Sequence, residues 1–204
     1  MKKNVISPEE SYTFSDYFKM RISTEDIVNY FGYTKENARL TLPSSNCDLP
    51  VLEQLFFIIE DALLHISLEN EITRREFLIA PVMAEVRRLT NSKLRSEYWF
   101  EYNHQLKGSL DYFLRTDRNL LVIEAKDADM TRGFTQLSVE MIAIDKVDET
   151  NQKIIYGAIT TGNVWQFGKL ERESKMISQD IKNYDLIEDL EILVRILVGV
   201  LEEK

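Results

Sequence analysis

Three charged residues stand in apolar surroundings where their side chains could act on one another. The tripeptide Glu124–Ala125–Lys126 follows a continuously apolar run, and Asp111 lies in a second apolar segment. Charged residues are rarely placed in a strand buried on both faces unless they are paired or bound to a metal ion. Because side chains alternate along a strand, Glu124 and Lys126 are expected to point to the same side.

The spacing around the intervening turn predicts that Asp111 joins them. If residues 109–115 and 120–126 form an antiparallel hairpin centred near Asp117 and Arg118, Asp111 falls opposite Glu124. Two carboxylates so close repel each other unless a cation joins them, and their hard oxygen atoms suit Mg²⁺ or Mn²⁺. The alternative is a buried ion pair without chemistry, since structural ion-pair networks resemble functional sites.

The residues around this trio carry a family resemblance. Its segments are Gly108–Asp111, Glu124–Lys126, the helical Gln136 and the strand–turn–strand segment Thr160–Trp165. Together they resemble the PD-(D/E)XK nuclease superfamily, and within it the N-terminal nuclease domain of type I restriction enzyme R subunits. The resemblance covers roughly residues 53–167. It departs at Leu110, where the family pattern has proline, a position that is not a ligand.

The resemblance implies a role for each of these residues. It implies metal binding by Asp111, Glu124 and the backbone carbonyl of Ala125. Lys126 would orient or help deprotonate the attacking water and offset phosphate charge. Gln136 would hold the lysine or contact the substrate, with an ordinary exposed glutamine as the alternative.

Two further acidic residues lie on predicted helices. Glu85 matches the extra acidic metal ligand that some members carry, and a solvated helix glutamate is the alternative. Glu140, one turn beyond Gln136, belongs to the same helix face. Both therefore extend the implied site less firmly than the trio.

The activity that the resemblance implies is hydrolysis of DNA phosphodiester bonds by a Mg²⁺- or Mn²⁺-dependent deoxyribonuclease. Its setting would be bacterial restriction, defence or repair, acting as a homodimer or with a partner subunit. The alternative is a catalytically inactive nuclease-fold protein that serves as a nucleic-acid or protein binding module.

The charge of the chain favours that alternative. A net charge of −9 is unlike the basic surface that DNA binding usually needs. The distribution is uneven, because residues 72–95 contain six basic and two acidic side chains, a net charge of +4. Such arginines ordinarily form a solvated helix face, and contact with a phosphate backbone is the other interpretation.

Several features predict a cytoplasmic protein that does not enter a membrane. Cys47 is the single cysteine, which excludes a disulfide framework. The most apolar stretch, Ile192–Leu201, contains Arg195 and is too short to span a bilayer. Lys2 and Lys3 are followed by polar residues rather than by the apolar run of a signal peptide.

The elements that must position the trio predict an α/β (α+β) fold with a mixed β-sheet flanked by helices. The resemblance implies a restriction-endonuclease-like core. The order is helices, three strands, a helix, two or three strands and a final helix. We expect residues 1–47 to form an N-terminal helical extension and residues 48–204 the nuclease-like domain.

Local signals place the boundaries of these elements. Four predicted helices are Phe14–Lys19, Thr24–Phe31, Met130–Ile144 and Leu186–Leu201. A further helix is capped by Asp48 and has Pro50 in its first turn. Another is opened by the capping box Thr73-x-x-Glu76 and either kinks or restarts at Pro81. The predicted strands are Tyr98–Leu106, Ser109–Arg115, Leu120–Ala125, Ile154–Ile159, Val164–Phe167 and, as a further candidate, Arg172–Ile177.

Overall fold

The computed structural model describes residues 6–117, 119–126, 129–148 and 152–202. Within them the chain is mixed α/β, because seven strands form one sheet and helices pack on both of its faces. The predicted class is confirmed at this level. Residues 1–5 of the predicted extension and Arg118 of the predicted turn lie outside the described residues.

The elements follow in the order α1, α2, β1, α3–α5, β2–β4, α6, β5–β7 and α7. The helices are α1 (Phe14–Lys19), α2 (Thr24–Tyr30), α3 (Leu52–His65), α4 (Glu71–Arg74), α5 (Ala80–Thr90), α6 (Met130–Val147) and α7 (Leu190–Glu202). A π-helical turn, Arg75–Ile79, joins α4 to α5. The strands are β1 (Thr34–Ala38), β2 (Lys93–Asn103), β3 (Leu106–Arg115), β4 (Leu120–Ala125), β5 (Ile154–Thr160), β6 (Val164–Glu171) and β7 (Met176–Asp185).

The sheet has the strand order β1-β7-β6-β5-β4-β3-β2. Strands β2, β3 and β4 are antiparallel neighbours, whereas β4 and β5 are parallel and are joined by the crossover through α6. All six residues of β4 are buried, which confirms the prediction of a strand covered on both faces. The carboxyl end of β4 therefore lies inside the sheet.

Two apolar cores cover the two faces of the sheet. One core contains buried side chains of α3, α5 and α7, and the other contains those of α1, α2 and α6. In α6 every residue from Gly133 to Ile144 is buried, since the helix lies between the sheet and the N-terminal helices. Polar residues of α6 in this stretch are consequently inside the protein.

The starts of two predicted helices were wrong. Helix α3 begins at Leu52, after a turn in which the N–H of Leu52 donates to the carbonyl of Leu49, so Pro50 precedes the helix. Helix α4 begins at Glu71 because Asn70, a stronger cap, accepts from the N–H of Thr73 at 2.9 Å.

The two alternatives for Pro81 are resolved by the turn before it. The helix widens to the π-helical turn Arg75–Ile79 and restarts as α5 with Pro81 in its first turn. Proline has no N–H and its ring clashes with the preceding helical turn, so a regular helix cannot run through this position. This irregular turn carries Arg75 toward the sheet edge.

Other corrections concern strand ends. Leu106 belongs to β3, because the Asn103 side chain accepts from the N–H groups of Gln105 and Leu106 and ends β2 in a turn. The segment after Arg172 is a turn with Lys175 at φ +53, and β7 starts at Met176. Leu186 precedes α7, since the Asp185 carboxylate accepts from the N–H groups of Ile187 and Glu188 in a further turn.

Strand β1 was missed because its sequence, Thr-Lys-Glu-Asn-Ala, has no apolar alternation. It pairs in parallel with β7 at the edge of the sheet and has mostly exposed side chains. No described helix combines the length and apolar character that crossing a membrane requires.

Candidate active site

The β3–β4 hairpin brings Asp111 to the tripeptide at residues 124–126. Tyr112 pairs with Ile123 and Arg115 with Leu120, which is the predicted register. Next to Tyr112, the Asp111 side chain bonds to the neighbouring strand, because its Oδ2 accepts a hydrogen bond from the backbone N–H of Ala125 at 2.8 Å. The strand end is thereby fixed around the first candidate carboxylate.

The second carboxylate, Glu124, is held from the sheet and from α6. The Lys126 ammonium forms an ion pair with Glu124 Oε1, as expected for two residues on one side of a strand. The amide of Gln136 donates to Glu124 Oε1 at 2.6 Å and to Glu140 Oε1 at 2.9 Å. Gln136 therefore holds two carboxyl groups rather than the lysine.

A glycine allows α6 to approach the strands this closely. A Cβ at Gly133 would lie 1.9 Å from Ile159 Cδ1 and 2.9 Å from Lys126 Cγ. Even alanine would therefore collide with the side chains on the sheet. Gly133 is a site-forming residue that the sequence reasoning missed, and a glycine inside an otherwise helical pattern was the available signal.

Glu124 and Glu140 form a buried carboxyl pair. Glu124 is 1% exposed and Glu140 is fully buried. Burial raises the pKa of Glu124, the negative charge of Glu140 raises it further, and Lys126 opposes the change. Burial likewise raises the pKa of Glu140, while hydrogen bonds to Gln136 and Glu124 oppose it. The Gln136 amide links the two carboxyl groups, and a proton held by the pair would relieve the repulsion between them.

Asp111 has a different environment, at the rim of the sheet. Burial raises the pKa of its carboxyl group, but the Ala125 N–H and the Arg75 charge hold the rise down. The Arg75 Nη1 lies 3.4 Å from Asp111 Oδ1 and 2.5 Å from the Glu97 carboxylate. Asp111 is thus neutralised by a neighbouring cation.

Arg75 is the second residue that the sequence reasoning missed. It was included in the basic segment at residues 72–95, for which a solvated face was the ordinary interpretation. The structure instead turns it inward through the π-helical turn. Pro81, a few residues downstream, signalled an irregular helix but not the direction of this side chain.

Lys126 is covered from the outside by the N-terminal region. Its ammonium lies 5.1 Å from the centre of the Phe18 ring at the end of α1, within the range of a cation–π contact. Glu71 of α4 contributes a negative charge that favours the protonated lysine. The lysine is therefore held between acidic residues and an aromatic ring.

Glu85 is engaged elsewhere in the structure. Its two carboxylate oxygens accept from Arg88 at 2.9 and 2.6 Å, and the residue lines a groove between α3 and α5. Residues 111, 124, 126, 136 and 140 form a cluster joined by hydrogen bonds and ion pairs. Glu85 takes part in none of those that the structure shows there. Trp165, from the last segment of the resemblance, is buried and donates to the carbonyl of Gly162.

The donor set is compatible with a hard divalent cation. Asp111, Glu124 and the carbonyl of Ala125 offer oxygen atoms, and Mg²⁺ is often bound by one or two carboxylates while keeping several waters. In the described ranges no group of three His, Cys, Asp or Glu residues is arranged to hold a metal ion. Glu124 Oε2 is buried without a donor among the described groups, so a shared proton or a cation must satisfy it.

Comparison of the chain with models of protein families and with curated proteins gives no match.

Proposed function

We propose that this chain is a metal-dependent nuclease that hydrolyses DNA phosphodiester bonds, built on a restriction-endonuclease-like core. The observation that carries the proposal is the hydrogen bond from the Ala125 N–H to Asp111, next to the Lys126–Glu124 ion pair. These contacts gather two carboxylates and a lysine at one strand end. The order of helix, three strands, helix and strand around them supports the same assignment.

The residues of the site divide the work of such a reaction. Asp111, Glu124 and the Ala125 carbonyl would hold Mg²⁺ or Mn²⁺. When bound, the cation supplies Lewis acidity and lowers the pKa of an attacking water. Lys126 orients that water and offsets the phosphate charge. Gln136 positions Glu124 by donating to its Oε1.

A cleavage assay tests this function. The purified protein is incubated with plasmid and single-stranded DNA in Mg²⁺ or Mn²⁺, and in parallel with EDTA. We expect metal-dependent cleavage that Lys126→Ala reduces by about 10²–10⁴-fold, the usual contribution of a positioned acid–base group. Lys93→Ala, at an exposed position of β2, is the control. Cleavage that is absent on all substrates, or unaffected by Lys126→Ala, contradicts the proposal.

The second candidate is a nuclease-fold protein that binds without cleaving. One observation favours it: the charges of the cluster are already balanced internally, by Arg75 at Asp111 and by Lys126 at Glu124. This candidate predicts DNA binding that survives in EDTA and produces no cleavage with either metal. The same assay, with binding measured in parallel, separates the two functions.

A further inference from the structure

Arg75 lies beside the Asp111 oxygen that is not hydrogen-bonded to Ala125. Asp111 Oδ2 is taken by the Ala125 N–H, which belongs to the backbone and cannot move away independently. The other oxygen, Oδ1, faces the Arg75 guanidinium at 3.4 Å. A cation bound by Asp111 therefore meets a second positive charge at the same oxygen, and the two repel each other.

Three contacts of different kinds hold Arg75 in this place, two to its guanidinium and one to its backbone. The guanidinium pairs with the carboxylate of Glu97 and lies 5.4 Å from the centre of the Tyr112 ring. The Tyr112 hydroxyl donates to the Arg75 carbonyl at 3.3 Å, which also fixes the backbone. The side chain is 16% exposed, so it lies at the rim of the site rather than beneath it.

Irregular backbone on two elements creates this arrangement. Arg75 opens the π-helical turn, and Glu97 lies within β2 with a φ of +48. A left-handed conformation is uncommon for glutamate, and π-helical turns occur frequently at functional sites. Two departures from regular structure meeting at one carboxylate point to a function for their contact.

We propose that Arg75 is a positioning residue that couples metal binding to DNA binding at this site. In the resting protein it neutralises Asp111. A phosphodiester of DNA draws it away, because the planar guanidinium forms paired hydrogen bonds with phosphate oxygens. Asp111 Oδ1 is then free for the cation. This inference rests on the proposed nuclease function and adds a substrate-dependent step to it.

Two measurements with opposite expected signs test the coupling. The affinity for Mn²⁺ is measured by calorimetry without DNA, and the affinity for a short duplex oligonucleotide is measured in EDTA. In Arg75→Gln we expect Mn²⁺ to bind about tenfold more tightly, which corresponds to about 1.4 kcal/mol of removed competition. The same variant should bind DNA several-fold more weakly, since it loses a phosphate contact. Arg87→Gln, at an exposed arginine of α5, should leave the Mn²⁺ affinity unchanged.

A purely structural role for Arg75 cannot produce tighter Mn²⁺ binding, because loss of structure weakens a site. An unchanged or lower Mn²⁺ affinity in Arg75→Gln overturns the coupling, whereas Mn²⁺ binding by the wild type would still support the nuclease proposal. If the wild type does not bind Mn²⁺ with or without DNA, the metal site fails and the coupling fails with it.

Glu97→Gln provides a second test that leaves the cluster itself intact. Glu97 is largely exposed and competes with Asp111 for the guanidinium. Its neutralisation leaves Asp111 as the stronger partner, so Mn²⁺ should bind several-fold more weakly than to the wild type. Tighter Mn²⁺ binding in Glu97→Gln would overturn the proposal, even if Arg75→Gln fails to fold.

Discussion

The two candidate carboxylates are neutralised in different ways although they lie on neighbouring strands. Asp111 is at the rim, where Arg75 supplies the compensating charge from a separate helical turn. Glu124 is deep in the sheet, where the Lys126 ammonium pairs with it and the Gln136 amide links it to Glu140, whose pKa is raised by burial. The rim carboxylate can exchange its cation for another, whereas the deep carboxylate shares a buried site with a second acid whose pKa is raised.

The difference has a physical origin in the depth of burial. A guanidinium presents several donors in a planar fork, so it suits a position between Asp111 and the exposed Glu97. A fully buried pair of carboxyl groups avoids the cost of a second charge by keeping one proton. The buried pair of Glu124 and Glu140, the deep half of the site, should therefore respond to pH. Asp111 with Arg75, the rim half, should respond to other cations.

The largest expected effect is a pH-dependent gain of stability in Glu140→Gln. The pKa values of Glu124 and Glu140 are raised in the folded state, so the folded protein binds more protons than the unfolded chain above the ordinary glutamate pKa of 4.5. Stability should then fall as pH rises through this window, by about 1.4 kcal/mol per pH unit for one proton. Glutamine has the shape of the protonated acid and can donate to Glu124, but it does not titrate. The substitution should therefore remove much of the dependence of stability on pH.

Urea unfolding at a series of pH values from below the glutamate range to mild alkali measures the slope. Glu140→Gln should equal the wild type at the acid end and exceed it at the alkaline end. Asp111, whose pKa is also raised, leaves a residual slope of the same sign. Glu60→Gln, at an exposed site on α3, serves as the control. Parallel curves for Glu140→Gln and the wild type would show that the deep pair shares no proton.

The next effect is the loss of metal-induced stabilisation in Asp111→Asn. Mn²⁺ at a hundredfold excess over its dissociation constant should stabilise the wild type by about 2.7 kcal/mol, because only the folded site binds it. Asp111→Asn should lose most of this gain while the metal-free protein remains folded, since the asparagine oxygen can still accept from Ala125. Thermal melts with and without Mn²⁺ measure the difference.

An ion pair without a metal function gives the opposite result. Breaking a buried pair would cost the metal-free protein about 3–5 kcal/mol, and Mn²⁺ would stabilise neither form. Asp61→Asn, on the outer side of α3, is the matched exposed substitution. The melts thus decide whether the rim carboxylate is a ligand or only a structural partner.

The predictable part of the site was the part governed by local rules. Turn length and strand alternation set the pairing of Asp111 with the tripeptide at residues 124–126, and the register agrees with the prediction. The burial of Gln136 and Glu140 could not be deduced in this way. It depends on α6 being enclosed by the sheet on one side and by α1 and α2 on the other.

The unpredicted part depends on irregular backbone. A helical pattern placed Arg75 on a solvated face, and only the π-helical turn before Pro81 directs it to Asp111. The acid expected from this region was Glu85, which pairs with Arg88, whereas Glu71 acts on Lys126. A π-helical turn rotates the side chains that follow it relative to a regular helix, and so changes which of them faces the sheet. The spacing of apolar residues in the sequence does not reveal such a rotation.

A smaller effect is expected from Gly133→Ala, which tests how closely α6 must approach the deep half. The added Cβ would collide with the Ile159 side chain and press on Lys126. Overpacking of this kind costs about 1–3 kcal/mol, and displacement of α6 would also lengthen the Gln136–Glu124 contact. Urea unfolding should show the loss.

Gly32→Ala is the comparison variant, because a Cβ there would meet nothing within 4 Å and its loss of stability reports only the strain of a side chain at φ +84. If Gly133→Ala also flattens the pH dependence of stability, α6 is what holds the carboxyl pair together. Unchanged stability in Gly133→Ala would mean that the helix is not tightly fitted to the sheet.

The smallest effect concerns the aromatic cover of Lys126. Phe18→Leu keeps apolar volume but removes the ring that lies 5.1 Å from the ammonium, so the loss of stability should be about 0.5–1 kcal/mol. Because Lys126 pairs directly with Glu124 and acts on Asp111 only through its charge, this change should alter the pH dependence that Glu140 controls more strongly than it alters the affinity for Mn²⁺. Phe57→Leu, at an exposed position of α3, is the control in both measurements. A change in Mn²⁺ affinity for Phe18→Leu as large as that for Arg75→Gln would show that the two carboxylates are coupled through the lysine, and the division between rim and deep carboxylates would then have to be abandoned.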